Sequence, residues 1–334
     1  MLTLRFDMRA PAFGAPAGQL YAAAIDMCAW AETRGAIMAV LSEHHATADG
    51  HLPAPLLLAS AISARTERLA VLLAAVVLPL WDPVRLAEDI SVLDLISNGR
   101  VAYAFGIGHR SEEYEHFGAD FHNRGRLADE NLALLLQLLK GMPVQHGGRW
   151  IQVTPSCGGD GGPTIVIAGG SRAAARRAAR HGLGFICQTA SPELEDHYRA
   201  QCRAHGREPG FVQFPDPEAP TAVFVADDVE KAWAELGPHL LHDAMVAASY
   251  RPADASVASI SRAQTVAALR ASAGPYRVLS TPDAVQMVRA GRPLPLLPLC
   301  GGLSPELAWP YVERAAAAVA EAQQEASPTT PGAT

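Results

Sequence analysis

Apolar and polar positions between Leu69 and Arg110 predict a complete strand–helix–strand unit, around which the rest of the chain is organised. Leu69 to Leu78 is a continuous apolar run rich in β-branched residues, which is typical of a parallel strand buried on both faces. Asp82-Pro83 supplies a helix N-cap and first residue, and apolar positions recur at helical spacing until Asn98-Gly99. A second strand, Arg100 to Phe105, follows. This crossover predicts an α/β protein with a parallel sheet.

The alternation of strand and helix continues on both sides of this unit. Further strands are predicted at Leu2 to Met8, Ala36 to Leu41, Thr164 to Ala168, Phe185 to Gln188, Thr221 to Ala226 and Leu294 to Leu299. The early strands recur about every thirty residues, which is typical of an eightfold barrel or of a doubly wound sheet. Residues 106 to 125 predict a long polar loop, and Leu240 to Gly274 predicts an irregular insertion that could cover a site.

Composition narrows the class of protein. A chain of 334 residues with 49% hydrophobic and 18% charged residues can bury one large core. We expect a single domain over residues 1–326 and a disordered tail at 327–334. The net charge of −7 argues against a nucleic-acid or anionic membrane surface. Five scattered cysteines without a CxxC pair, and no signal peptide, indicate free thiols in the cytoplasm.

The first candidate site is Glu43-His44-His45, directly after a predicted strand. The carboxyl ends of barrel strands carry the reactive groups, and a histidine there can serve as acid or base near neutral pH. Adjacent histidines point to opposite sides, so only one would face the pocket while the other packs or caps. A metal site is the weaker alternative, because neither H-x-H nor HExxH spacing is present.

Two glycine motifs also follow predicted strands. Gly106-Ile107-Gly108-His109-Arg110-Ser111 approaches the dinucleotide fingerprint, but its third glycine is missing and a loop follows, so we expect glycines that let a ligand approach the sheet. Gly169-Gly170-Ser171-Arg172 does open a helix, where unpaired N–H groups can bind a phosphate. Simple capping by Ser171 is the alternative. Arg110 and Arg126 could contribute to such an anion site.

At these residues the chain resembles the bacterial luciferase-like family of flavin-dependent monooxygenases. The resemblance rests on Glu43-His44-His45, Ala74-Ala75, Leu78-Pro79, Asp82-Pro83-Val84-Arg85 with Glu88-Asp89, Leu93-Asp94, Ser97, Gly99-Arg100, Phe117-Gly118 and Gly169-Gly170-Ser171, and more weakly on Ser280-Thr281-Pro282. It implies a TIM-type (β/α)8 barrel with insertions, a homodimer, and FMN bound across the carboxyl-terminal mouth. The helices between Leu56 and Ile96 would close the dimer, because their apolar faces exceed what contact with one sheet requires.

The resemblance also implies roles for individual residues. His44 matches the catalytic histidine, which Glu43 or another carboxylate would orient, and Ala74-Ala75 matches a non-proline cis peptide beneath the flavin ring. The cofactor-binding set would be Ala74, Ala75, Gly106, Arg126, Ala168, Gly169, Gly170, Ser171 and Arg172. The substrate would meet His45, His109 and Arg110, and no metal is expected. Gly106 and Ile107 replace a reactive cysteine and a phosphate-binding arginine of luciferase, which argues against light emission from long-chain aldehydes.

Three functions follow from the resemblance. The first is a two-component monooxygenase, in which reduced FMN from a separate flavin reductase reacts with O2 to a flavin hydroperoxide that oxygenates a small organic substrate. The second keeps the barrel but uses a reduced deazaflavin of the coenzyme F420 type for hydride transfer. The third is a flavin-binding paralogue that has lost catalysis, against which the presence of His44 argues.

Overall fold

The structure is a computed structural model that describes residues 1–159, 161–251, 257, 259–272 and 274–324. The predicted disordered tail, residues 327–334, lies outside the described residues, and the domain boundary at residue 326 stays a prediction. All five cysteines are free thiols, as predicted. Within the described ranges, no helix is both long and apolar enough to cross a membrane.

Strands and helices alternate along most of the described chain. The strands are β1 (Leu2–Phe6), β2 (Ala36–Leu41), β3 (Ala70–Val77), β4 (Val101–Gly106), β5 (Val144–His146), β6 (Arg149–Ile151), β7 (Thr164–Ala168), β8 (Gly184–Ile186), β9 (Val212–Gln213), β10 (Ala222–Ala226), β11 (Tyr276–Ser280) and β12 (Leu294–Leu296). The helices are α1 (Ala17–Glu32), α2 (Pro55–Arg65), α3 (Pro83–Ser97), α4 (Ser111–His116), α5 (Arg124–Leu138), α6 (Arg172–His181), α7 (Pro192–Ala204), α8 (Val229–Ser249), α9 (Val266–Ala271), α10 (Thr281–Arg289) and α11 (Pro305–Gln324).

Ten strands form one parallel sheet in the order β11-β10-β12-β1-β2-β3-β4-β7-β8-β9, and β5 with β6 forms a separate antiparallel hairpin. In β1, Leu2 lies opposite Ala36 of β2 on one side and Leu294 of β12 on the other. The last strand of the chain therefore pairs with the first, and β1 to β4 follow in chain order. This is the winding of a TIM-type (β/α)8 barrel, whereas a doubly wound sheet reverses its order at a switch point.

The predicted strand–helix–strand unit is confirmed as β3, α3 and β4. The Asp82 side chain accepts hydrogen bonds from the backbone N–H groups of Val84 and Arg85 and so caps α3. Asn98 ends the helix in the left-handed conformation, with φ of 53°. Strand β3 pairs with β2 and with β4 in parallel, so the helix crosses the outside of the sheet.

Four segments differ from their predictions. The segment predicted as a polar loop contains α4, whose first turn carries Glu112 and Glu113 and so suits the positive end of the helix dipole. Helix α8 continues through Pro238 to Ser249, because Leu236, Leu240 and Ala244 keep helical spacing on its buried face. Strands β9 and β11 were not predicted, since both are short and lack a continuous apolar run.

Candidate active site

His44 and Glu113 meet beyond the carboxyl ends of two strands that flank β3. The segment after β2 carries His44, while α4, which follows β4, carries Glu113 in its first turn. His44 Nδ1 lies 3.1 Å from Oε1 of Glu113. The fold therefore places a histidine–carboxylate pair at the carboxyl-terminal end of the barrel, where TIM-barrel enzymes carry their reactive groups.

Glu113 is buried, with 1% of its side chain exposed, and it joins several groups. Its Oε1 also accepts hydrogen bonds from the backbone N–H of His45 at 3.1 Å and from Nη1 of Arg110 at 3.3 Å. Burial raises the pKa of Glu113, but the bonds to His44 and His45 and the charge of Arg110 outweigh it, so the pKa lies below its usual value. At neutral pH the carboxylate is ionised and accepts the Nδ1–H of His44, which leaves the lone pair of this imidazole on Nε2.

The pKa of His44 lies below its usual value. Burial lowers it, the hydrogen bond and charge of Glu113 raise it, and the charges of Arg9 and Arg110 lower it again. The imidazole is therefore neutral at pH 7 and can accept a proton. Its side chain keeps 19% exposure and lines a cavity, so that a ligand can reach it.

Glu43 forms hydrogen bonds with residues other than His44. Its Oε1 lies 2.7 Å from Nε2 of His45 and 3.0 Å from Nε1 of Trp81, and its Oε2 accepts the backbone N–H of Val77 at 2.8 Å. These bonds tie the segment after β2 to the end of β3. Of the two expected alternatives, Glu43 or another carboxylate, the structure therefore places another carboxylate, Glu113, at His44.

His45 and Arg110, which we expected to bind substrate, instead fix the loops. Successive side chains after a strand point in opposite directions, and the His45 ring packs edge-on against Phe117 at 4.7 Å. Arg110 Nη1 donates to the backbone carbonyl of His45 at 2.7 Å, and the guanidinium lies 4.2 Å from the ring centre of Tyr250. Both residues are buried, and their hydrogen bonds hold them within the protein. These contacts correct the expectation that either residue faces the substrate.

A cavity of about 90 Å³ opens beside His44. The centre of the His44 ring lies 4.2 Å from the ring centre of His51, 5.5 Å from that of Tyr250 and 6.2 Å from that of His109. Burial and the charge of Arg251 lower the pKa of His109 to about 4, so its ring is neutral at pH 7. Nε2 of His109 is buried without a hydrogen-bond partner among the described residues. His109 is thus the predicted substrate-binding residue that does line the cavity.

Small residues meet at the carboxyl ends of β3, β4 and β7. The peptide bond between Ala74 and Ala75 is cis, as the family resemblance predicted. A Cβ atom placed on Gly106 would lie 3.3 Å from the Cβ of Ala75 and 3.8 Å from the carbonyl oxygen of Ala168. A side chain at position 106 would therefore crowd Ala75, and the four small residues Ala74, Ala75, Gly106 and Ala168 are defined here as the cradle.

The glycine motif at Gly169 and Gly170 leads into α6, as predicted. Ser171 caps this helix, and its Oγ accepts the backbone N–H of Ala174 at 3.2 Å. Gly170, Ser171 and Arg172 are exposed. The capping role of Ser171 is confirmed, and the remaining N–H groups of the first turn with the Arg172 side chain are suited to an anion.

Arg126, the predicted second phosphate ligand, pairs with its own helix. Its Nη1 lies 2.7 Å from Oε1 of Glu130 one turn further along α5, and both side chains are exposed. The arginine that joins α5 to α6 is Arg177, which lies 2.8 Å from Asp129 and donates to the carbonyl of Gly125 at 2.9 Å. In this structure the guanidinium of Arg126 therefore pairs with Glu130 and not with a residue of α6, so its expected role as a phosphate ligand stays a prediction.

A buried ionic network below His44 was not predicted. Arg9 is 1% exposed, and its guanidinium lies 2.7 Å from Asp49, 3.0 Å from Asp243 and 3.8 Å from Asp7. Tyr276 donates its hydroxyl to the second oxygen of Asp243 at 2.6 Å. The sequence signal was present in the alternation of charged residues within Leu-Arg-Phe-Asp-Met-Arg, because every second residue of a strand shares one face.

Comparison with known proteins identifies the family. The sequence profile of the luciferase-like monooxygenases matches residues 5–289. The chain belongs to the luciferase-like monooxygenase family. It is 31% identical over 134 residues to the oxygenase component of the flavin-dependent trigonelline monooxygenase of Acinetobacter baylyi. The aligned segment is 40% of this chain and 37% of that protein. It is 29% identical over 181 residues to the F420-dependent glucose-6-phosphate dehydrogenase of Mycobacterium tuberculosis, 51% of this chain and 54% of that protein.

The chain matches about half of the length, or less, of these curated relatives. Structural similarity is more extensive. The oxygenating constituent of 3,6-diketocamphane monooxygenase from Pseudomonas putida, solved in complex with FMN, superposes with a TM-score of 0.68 at 18% identity and covers 96% of this chain and 98% of that one. The likeness establishes the fold of this luciferase-like protein, which agrees with the barrel described above.

Proposed function

We propose that this luciferase-like protein is an FMN-dependent monooxygenase that acts on a small organic substrate. The observation that carries the proposal is the His44–Glu113 pair, which lies at the same carboxyl-terminal end of the sheet as the cradle of small residues and the N-terminus of α6. The A. baylyi relative is the oxygenase component of a flavin-dependent monooxygenase, which supports delivery of reduced FMN by a separate flavin reductase. Reduced FMN, when bound, supplies the electrons that activate O2.

The residues present fit such a flavin. The cradle presents only glycine and alanine toward the carboxyl ends of β3, β4 and β7, against which a planar ring would pack, and Gly169, Gly170, Ser171 and Arg172 offer N–H groups and a guanidinium for the phosphate. His44 holds its lone pair on Nε2 toward the cavity and moves a proton to or from the substrate. Glu113 fixes the tautomer and the ring orientation of His44.

The second candidate function is hydride transfer with a reduced deazaflavin of the F420 type. The observation that favours it is the identity with the M. tuberculosis dehydrogenase over about half of the chain. Both functions use the same barrel and the same histidine, so they differ in cofactor and in the need for O2.

Anaerobic titration, followed by quenching of protein fluorescence, tests the choice. We expect reduced FMN to bind more tightly than oxidised FMN or reduced F420. Arg172→Ala should weaken reduced FMN about tenfold, since a charge-assisted hydrogen bond to phosphate is lost. Arg180→Ala, at the opposite end of α6, should leave binding unchanged. Preference for F420 would select the second function, and binding of neither cofactor would refute both.

The homodimer is also a proposal. Large apolar side chains are exposed on α2 and α3, with Leu57 exposed by 74% and Leu95 by 48%, and Val92 and Ile96 lie on the same helix as Leu95. Apolar faces of this kind are typical of an interface between subunits. The buried free cysteines are consistent with the reducing cytoplasm, where we place the protein.

The double variant Leu57→Glu/Leu95→Glu is expected to be a monomer, because two carboxylates on each face would be desolvated at the interface. Light scattering coupled to size exclusion measures the mass. Leu307→Glu, an exposed leucine on α11, is the control and should stay dimeric. A wild-type protein that elutes as a monomer contradicts the proposal.

A further inference from the structure

The floor of the cavity beside His44 is charged. Strand β1 buries Leu2, Leu4 and Phe6 on one face and directs Arg5 and Asp7 to the other, where both line the cavity. Arg9, Asp243 and Tyr276 complete this floor. A ligand that reaches His44 therefore meets two arginines and two carboxyl groups below it.

Arg9 is already neutralised by the protein. The carboxylates of Asp49 and Asp243 lie 2.7 Å and 3.0 Å from its guanidinium, and Asp7 lies 3.8 Å away. A ligand anion at Arg9 would have to displace carboxylates that the fold holds in place. Arg251, at the rim, contacts Gln188 at 3.3 Å and His109 at 3.4 Å.

The contacts of Arg5 differ from those of Arg9 and Arg251. It is half-buried in the cavity, and no hydrogen bond or ion pair joins its guanidinium to any residue within the described ranges. A guanidinium carries five N–H donors, and unfilled donors in a partly desolvated site are costly. Burial and the charge of Asp243 raise the pKa of Asp7 to about 7, so this neighbour on the same face of β1 balances the charge of Arg5 only in part.

We propose that Arg5 binds a carboxylate group of the substrate, which makes the substrate a small organic anion. The proposal rests on the proposed function, because it assigns a substrate class to that same site. A planar guanidinium binds a carboxylate through two parallel hydrogen bonds, and the attraction is stronger where the cavity walls exclude water. The cavity volume of about 90 Å³ suits a compact group.

The same floor disfavours long alkyl substrates. An alkyl chain over Arg5, Asp7 and Asp243 would remove hydration from charged groups without replacing their hydrogen bonds. The aliphatic side chains of the lining are those of Ala222, Ala247, Val257, Ile260 and Leu297, and none of them belongs to this floor. Long-chain aldehydes and alkanes therefore bring no partner for the charged groups of this floor.

Calorimetric titration of the full chain without flavin tests the proposal with two matched pairs, benzoate against benzamide and hexanoate against hexanamide. We expect each carboxylate to bind about tenfold more tightly than its amide, since hydrogen bonds to a charged group are lost with the amide. Arg5→Gln should abolish this preference, and Arg5→Lys should retain part of it. Arg68→Gln, an exposed arginine, is the control and should leave it intact.

Equal binding of carboxylates and amides to the wild-type protein overturns the proposal, as does a preference that survives in Arg5→Gln. Absence of carboxylate binding at about 10 mM overturns it as well, because even a weak charge-assisted site would fill at that concentration. Thermal unfolding of each variant shows that it is folded. Flavin binding without a carboxylate preference refutes this inference alone, whereas a carboxylate preference without flavin binding refutes only the proposed oxygenase.

Discussion

The His44→Ala variant is expected to oxygenate its substrate about 10² to 10⁴ times more slowly than the wild-type protein, the usual contribution of a positioned acid or base. The loss should lie in kcat, because the proposed role of His44 is to move a proton at Nε2, whereas the proposed flavin site is the cradle and the N-terminus of α6. Reduced-FMN titration of the same variant should therefore give an unchanged affinity. Rates are measured with a reductase supplying reduced FMN, by following product and O2 consumption.

His116→Ala is the matched control, since His116 is an exposed histidine at the end of α4 outside the pair. It should retain wild-type kcat. An unchanged rate in His44→Ala would contradict the assigned role while leaving the fold and the family untouched. A loss of flavin binding in that variant would mean that His44 shapes the flavin site instead.

The acid limb of the pH profile tests the part played by Glu113. His44 acts as a base only when neutral, and because its pKa lies below the usual value, activity should persist below pH 6.5 and fall at lower pH. The hydrogen bond and charge of Glu113 raise the pKa of His44. Glu113→Gln removes this contribution, so its acid limb should move to lower pH while its maximal rate falls. A merely structural Glu113 would lower the rate without moving the limb.

Local signals predicted most of the barrel. Asp82 caps α3, Asn98 ends it, and an apolar run forms β3. Each of these features depends on residues that are close in the chain, so the sequence predicts them directly. The winding could not be read from local pattern, because a barrel and a doubly wound sheet share the same strand–helix units. Pairing of Leu2 with Leu294, 292 residues apart, is the observation that separates them.

The site was predicted only as far as its positions follow strand ends. His44 directly follows β2, so the sequence predicts its position at a strand end. Glu113 lies 69 residues further along the chain, and only the folded structure shows that it contacts His44. The sequence left open whether Glu43 or another carboxylate orients His44; Glu43 does not, because neighbours in sequence at a strand end point apart and its oxygens accept hydrogen bonds from Val77 and Trp81. Contacts over such separations are set by the whole barrel.

Arg9→Met is expected to lower the free energy of unfolding by about 3–5 kcal/mol, the usual cost of removing one partner from a buried ion pair. Arg9 joins β1 to the Asp49 loop and to α8 through Asp243. Methionine fills a similar volume but leaves the surrounding carboxylates buried without a cation. Urea unfolding at pH 8 measures the loss, and Arg65→Met, whose exposed pair with Asp26 is 3.4 Å long, should cost no more than about 1 kcal/mol.

The deficit of Arg9→Met should shrink as the pH falls. Burial raises the pKa of Asp49, while Arg9 and His242 hold it below its usual value, and Arg9 also lowers the pKa of Asp7. Without Arg9 both folded-state pKa values rise, so the folded variant binds more protons than the unfolded chain and its stability increases toward acid pH. Urea unfolding at pH 5 should therefore show a smaller difference from wild type than at pH 8. A deficit that is equal at both pH values would mean that lost packing around the Arg9 stem, and not unpaired carboxylates, causes the destabilisation.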